Sequence, residues 1–269
     1  MTVRLEQETL TDHDWSSRAF RVLKTPDVEV ISVCLDALPD VRASLWQLLS
    51  RDERQRAKRF RYVEHRQRYI VARASLRQLL AERLGIAPWA VELVETSYGK
   101  PRLAPVQGSA GLEFNLSHSE ARAVYVFTRG RAVGVDVELI RQIPDADDLA
   151  ECFFSPREIA ALRSLPLDRR SLAFLTCWTR KEAFIKALGL GLSCPLDAFD
   201  VTIDPDTAAR ITRIEAHIGR VADWRLQAFT PYPSYIAAIA YRADGAAISE
   251  RTRINYQSYR SFVSEPDNN

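Results

Sequence analysis

Between Leu112 and Leu139 three short apolar runs, EFNLSHS, AVYVFT and AVGVDVEL, are divided by the turn signals Glu120-Ala-Arg and Arg129-Gly-Arg131. Runs of this length with turn residues between them predict an antiparallel meander. A meander cannot stand alone, because one face of it must be covered. The cover is available in the rest of the chain. Residues 28–35, VEVISVCL, read as a strand, Val41–Leu49 as a helix, and the stretch ending near Gly85 as one helix or two in tandem. After the meander come helical patterns near 156–165 and 170–188, then strand patterns near 198–203, 224–229 and 235–241. Strand, helices and strands therefore occur twice. The fold class expected is α+β, an order compatible with two similar α/β lobes joined near Arg129–Val133. The divisions expected are 1–131, 132–250 and a polar tail, 251–269.

With 269 residues, 46% apolar and 27% charged, the chain has material for a sizeable core and the balance of an ordinary globular protein. No apolar run approaches the roughly 20 residues that cross a bilayer, and MTVRLEQETLTDHDW lacks the basic start and apolar middle of a secretory signal. A cytoplasmic protein without membrane attachment is expected. Cys34, Cys152, Cys177 and Cys194 form no CxxC pair, and His13, His65, His118 and His217 are scattered, so a zinc site or disulfide framework is disfavoured.

Charge is unevenly spread. Residues 51–83 hold 11 Arg or Lys against 4 Asp or Glu, within a chain whose totals are 37 and 35. That stretch reads as basic amphipathic helix, with Ile70, Leu76, Leu79, Leu80 and Leu84 at helical intervals. It is either a phosphate-binding surface or a solvated face balanced by nearby carboxylates.

The acidic pattern is sharper. In Val133-Gly-Val-Asp-Val-Glu138 the valines alternate with Gly134, Asp136 and Glu138, so a strand sends both carboxylates to the face opposite the valines, roughly 7 Å apart. Such a pair can share a hard divalent cation such as Mg²⁺, or be the solvated face of a strand. In the helix containing Trp178, Glu182 and Lys186, Glu182 flanks the apolar stripe of Phe174, Trp178, Ile185 and Leu188, and Lys186 follows four residues on. The two can point into one site, or form an ordinary surface pair. Asn115-Leu-Ser-His118 crowds polar groups at a strand end. No G-x-S-x-G elbow and no GxxxxGK[ST] loop is present.

Taken in order, YGKP, FNLSHS, GVDVE, FFSPRE and WTRKEAFIKALGLGLS resemble the 4′-phosphopantetheinyl transferases of the two-lobed surfactin-synthetase type, over roughly residues 45–240. The resemblance implies transfer of the phosphopantetheine arm of coenzyme A to a serine of an acyl or peptidyl carrier protein, with Mg²⁺ or in its place Mn²⁺, and release of adenosine 3′,5′-bisphosphate. It implies Asp136, Glu138 and Glu182 as metal ligands and Glu182 and Lys186 as catalytic groups, Lys186 on the pyrophosphate. Lys100, Asn115, Ser117 and His118 match positions lining the nucleotide end, with Gly99 letting its loop come close. Arg56 is assigned to the 3′-phosphate, among Arg51, Arg54 and Arg56; some relatives carry lysine where this chain has Glu53. The resemblance also implies a pseudo-two-fold between the two lobes with the active site in the cleft, and a monomer, since one chain supplies both halves of that cleft; no nucleic acid is expected. The rival readings are a metal-dependent phosphohydrolase or nucleotidyl transferase, which needs no carrier, and an RNA-binding module. The latter leaves the paired acids unexplained.

Overall fold

The structure is a computed structural model that describes residues 19–24, 28–108 and 111–243. The polar tail, 251–269, lies outside the described residues, as do residues 1–18.

The first half runs β1 (Ala19–Lys24), β2 (Val28–Cys34), α1 (Pro39–Leu48), α2 (Arg51–Lys58), α3 (Val63–Leu84), β3 (Leu93–Glu95), β4 (Pro101–Leu103), α4 (Pro105–Gly108), β5 (Leu112–Ser119) and β6 (Arg122–Arg129). The second runs β7 (Val133–Leu139), α5 (Ala146–Phe153), α6 (Pro156–Arg163), α7 (Leu167–Leu188), β8 (Phe199–Val201), β9 (Ile211–Ile214), β10 (Trp224–Phe229) and β11 (Tyr235–Arg242). The architecture is mixed α and β, as the sequence predicts. No helix among the described residues is long and apolar enough to cross a membrane.

Two antiparallel sheets form the centre, one ordered β1-β2-β6-β5 and the other β10-β11-β7. The basic stretch divides into two helices. Ser50 and Glu53 form a reciprocal capping box that starts α2, and Gly85, in the left-handed region at φ +67°, ends α3. Ile70, Leu76, Leu79 and Leu80 of α3 pack on Ile31 and Val33 of β2, Phe114 of β5, and Tyr125 and Phe127 of β6. A second core forms where Phe174, Phe184 and Ile185 of α7 meet Phe199, Trp224, Ala238 and Ala240. Between the sheets lies a third layer: Val28, Val30, Val124 and Val126 against Val133, Val135, Val137 and Ile239. The chain is therefore layered helix, sheet, sheet, helix, with β2, β6, β7 and β11 buried on both faces.

The meander is corrected at its third strand. β5 and β6 form the expected hairpin, but β7 does not join them. Both edges of β6 are already taken, by β2 and by β5, so the chain crosses after Gly130 and β7 pairs with β11 instead. Its valines still find the valines of β6, face to face rather than edge to edge.

Candidate active site

The position of α7 is set by a missing side chain. A Cβ built on Gly134 would lie 2.2 Å from the Ala183 carbonyl oxygen and 2.2 Å from the Ala187 nitrogen, so the helix backbone rests directly on β7. Ala183 and Ala187, one helical turn apart, provide the flat face that meets the glycine. With the backbones this close, residues of α7 next to those alanines stand beside the acids of β7. Lys186 Nζ is 2.6 Å from Asp136 Oδ1 and also donates to Ser117 Oγ at 3.0 Å. Ser117 Oγ in turn donates to Asp136 Oδ1 at 2.9 Å.

Asp136 is only 4% exposed, and its second oxygen, Oδ2, is buried with no hydrogen-bond partner among the described residues. A buried carboxylate oxygen left bare is costly. Burial raises the proton affinity of Glu138, and the Asp136 charge raises it further; burial does the same to Glu182, with Lys186 opposing and Asp136 and Glu138 adding. Strand and helix acids therefore feel one another across the β7–α7 contact. These groups suit a hard cation, which would take the bare oxygen and relieve the repulsion. Among the described residues no three His, Cys, Asp or Glu side chains form a ready ligand cluster; a cation would have to draw the carboxylates together.

The other residues singled out by sequence occupy three settings. Asn115 is buried, its Oδ1 accepting from the Val135 N–H at 2.9 Å, and its role here is to tie β5 to β7. His118 stands at the end of β5 with part of its side chain open to solvent, while partial desolvation of the ring and the Lys186 charge lower its proton affinity. Lys100 sends its ammonium inward, 2.9 Å from the Val133 carbonyl and 2.7 Å from that of Lys186. The latter is among the last carbonyls of α7, so Lys100 caps the C-terminal end of that helix. Gly99 sits at φ +77° with nothing within 4 Å of an added Cβ. The left-handed backbone is by itself a reason for glycine there. Arg56 is 3.3 Å from Glu95 of β3 and lies over the Tyr69 ring, while Arg54 lies over Trp46. Glu53 points inward, accepting a hydrogen bond from Arg77 at 2.6 Å and forming an ion pair with Arg73 at 3.2 Å.

The sequence reading passed over two features. One is the packing of Gly134 on Ala183 and Ala187, whose signal is a glycine at an acid-facing strand position together with alanines at i and i+4 on the helix. The other is Ser119, whose Oγ donates to Glu138 Oε2 at 2.9 Å.

Two family models match the chain: the 4′-phosphopantetheinyl transferase superfamily over residues 132–240, and the N-terminal part of a 4′-phosphopantetheinyl transferase over residues 39–128. The 4′-phosphopantetheinyl transferase HetI of Nostoc is 34% identical over 237 residues, 88% of this chain and 97% of the relative. The chain belongs to the 4′-phosphopantetheinyl transferases. It is an enzyme of the class that moves the phosphopantetheine group of coenzyme A onto a carrier-protein serine. The transferase Sfp of Bacillus subtilis is 28% identical over 169 residues, 63% of this chain and 73% of that protein. The L-aminoadipate-semialdehyde dehydrogenase-phosphopantetheinyl transferase of Xenopus laevis is 32% identical over 176 residues, 60% of this chain and 58% of that protein. The bridge between the two family matches falls at residues 129–131, where the chain crosses from the first sheet to the second.

Proposed function

We propose that this transferase works where β7 meets α7, as a cytoplasmic monomer acting on an acyl or peptidyl carrier protein. Coenzyme A lies between a first lobe, 1–131, which takes its nucleotide end, and a second lobe, 132–250, which carries the reacting groups. Asp136, Glu138 and Glu182 would hold Mg²⁺, or Mn²⁺ in its place. The single observation that carries this reading is the bare, buried Oδ2 of Asp136 beside two further carboxylates and one ammonium. A divalent cation there supplies neutralisation of the pyrophosphate and of the charge that develops on its oxygens.

The chain's own groups do the rest. Lys186, braced by Asp136 and Ser117, presents its ammonium to the pyrophosphate and balances charge on the oxygens of the phosphorus under attack. Glu182, one turn earlier on α7, accepts the proton of the carrier serine. The serine oxygen bonds to the β-phosphorus, the bond from that phosphorus to the bridging oxygen breaks, and adenosine 3′,5′-bisphosphate leaves with the electron pair. His118 and Arg56 meet the 3′-phosphate. Gly99, Lys100, Asn115 and Ser117 shape the wall behind the nucleotide, Lys100 and Asn115 by holding α7 and β7 in place.

Intact-mass spectrometry on a panel of apo acyl and peptidyl carriers, incubated with coenzyme A and Mg²⁺, tests this. The expected result is a gain of one phosphopantetheine on at least one carrier, with stoichiometric adenosine bisphosphate. Release of adenosine bisphosphate without a carrier would instead assign a phosphohydrolase.

A further inference from the structure

Alternate residues of β5 reach across to β7, and together they replace the backbone ladder that the two strands do not form. The Asn115 rung accepts from Val135 N–H, the Ser117 rung donates to Asp136, and the Ser119 rung donates to Glu138. The pairings keep an almost constant offset, so β5 and β7 run side by side in the same direction. Ser119 differs from an ordinary polar neighbour in that its hydroxyl is committed on both sides. It accepts from the Leu139 N–H at 3.2 Å, and that leaves its proton for Glu138 Oε2 at 2.9 Å. The arginine paired with Glu138, Arg141, is more than half exposed and stands at 3.7 Å, a loose contact by comparison.

The turn that follows Ser119 is itself pinned. Glu120 takes φ +47°, a left-handed value uncommon for a side-chain-bearing residue. Its carboxylate receives Arg68 Nη1 at 3.0 Å, while Arg68 Nε donates to Asp36 at 3.0 Å. Anchored from α3, the end of β5 gives Ser119 a fixed origin from which to hold a carboxylate on the neighbouring strand.

We propose that Ser119 is a positioning residue for phosphopantetheine transfer, fixing the Glu138 carboxylate so that it and Asp136 serve one divalent cation. The role rests on the cation reading given above, and it concerns a residue that does not itself touch the ion. A hydrogen-bond partner that orients a metal-binding carboxylate contributes about 10- to 100-fold to metal affinity.

The test is Mn²⁺ titration of the purified full-length enzyme, followed by loss of the free-ion electron paramagnetic resonance signal. It is run on the wild type, Ser119→Ala, Ser119→Thr, Glu138→Gln and the double variant. Ser119→Ala is expected to weaken Mn²⁺ binding about tenfold, Ser119→Thr to keep it, and Ser119→Ala to add nothing on the Glu138→Gln background. Carrier KM should stay unchanged in Ser119→Ala while the Mn²⁺ dependence of turnover moves to higher concentration. Should Ser119→Ala fail to fold, Ser119→Cys, a weak donor of similar size, reads the same quantity. Wild-type Mn²⁺ affinity in Ser119→Ala, alongside a weakened Glu138→Gln, would overturn the role of Ser119 and leave the cation site standing. Equal loss on both backgrounds would overturn it too, since the hydroxyl would not be acting through Glu138. Failure of the wild type to bind Mn²⁺ removes the cation site itself and this role with it.

Discussion

Charge is concentrated in two regions, and the fold treats them in opposite ways. In α2 and α3 the arginines are largely absorbed by the scaffold. Arg68 meets Asp36, Glu64 and Glu120; Arg73 and Arg77 share the buried Glu53; Arg77 also donates to the carbonyls of Pro88 and Val91; and Arg83 pairs with Glu29 while lying over Phe127. At the β7–α7 contact, Lys186 pairs with Asp136, Glu138 and Glu182 lie within electrostatic reach of both, and a buried carboxylate oxygen goes without a partner among the described residues. The region that looks most like a ligand site by composition spends much of its charge on holding itself together. The region whose charges are few but unbalanced is the one with chemistry left to do.

Two substitutions set that contrast against itself, and they carry the largest effects. Glu53→Ala leaves Arg73 and Arg77 without their buried carboxylate and removes the Glu53 half of the α2 capping box, which costs about 3–5 kcal/mol of stability. Urea unfolding measures this, and the activity per folded molecule is expected to hold. Asp136→Ala should do the reverse, lowering turnover by about 100-fold or more with an unfolding midpoint close to that of the wild type. Glu182→Gln is expected to follow Asp136→Ala. If Glu53→Ala lost activity while stable, or Asp136→Ala unfolded the protein, the division between scaffold charge and site charge would fail.

What could be read from the sequence follows the same physics. The period-two alternation of Val133, Val135 and Val137 with Asp136 and Glu138 fixes which side of β7 carries acids, and the i,i+4 spacing fixes that Glu182 and Lys186 share a helix face. Both patterns are local, and the structure agrees with them: the valines are buried, and Lys186 reaches Asp136. The partner of β7 was not legible, because whether β6 has a free edge depends on β2, about ninety residues earlier in the chain. The direction of a long side chain was equally hidden. Lys100, in a glycine-containing loop, looks free to meet an anion, yet it turns inward to the end of α7. Local spacing reports faces; only the assembled fold decides which charges are consumed.

Lys100 gives the next effect, which is smaller and has a definite sign. Burial lowers its pKa from 10.5 to about 8, with Glu113 opposing. Between these values the unfolded chain holds a proton that the folded chain lacks, so the Lys100 contribution to stability increases as pH rises across this window. The unfolding free energy of the wild type minus that of Lys100→Met should therefore rise between about pH 8 and pH 10.5, by on the order of 2 kcal/mol. A flat difference would mean that the bonds to the Val133 and Lys186 carbonyls offset the burial of the ammonium in full.

Arg56 carries the smallest expected effect and decides whether any of the basic region serves the ligand. Its pair with Glu95 is exposed on both sides, 61% and 53%, so Arg56→Ala should alter stability by less than about 1 kcal/mol. The guanidinium is nevertheless held over Tyr69, at a groove lined also by Asp52, Gln55, Arg59 and Phe60. If it meets the 3′-phosphate, Arg56→Ala raises the KM for coenzyme A by about tenfold at low salt and by less at high salt. Dephospho-coenzyme A, which lacks that phosphate, is the control: wild type and variant should then use it equally. Equal KM increases for both substrates would place Arg56 with the scaffold arginines, and the 3′-phosphate would have to be met by His118 and other groups.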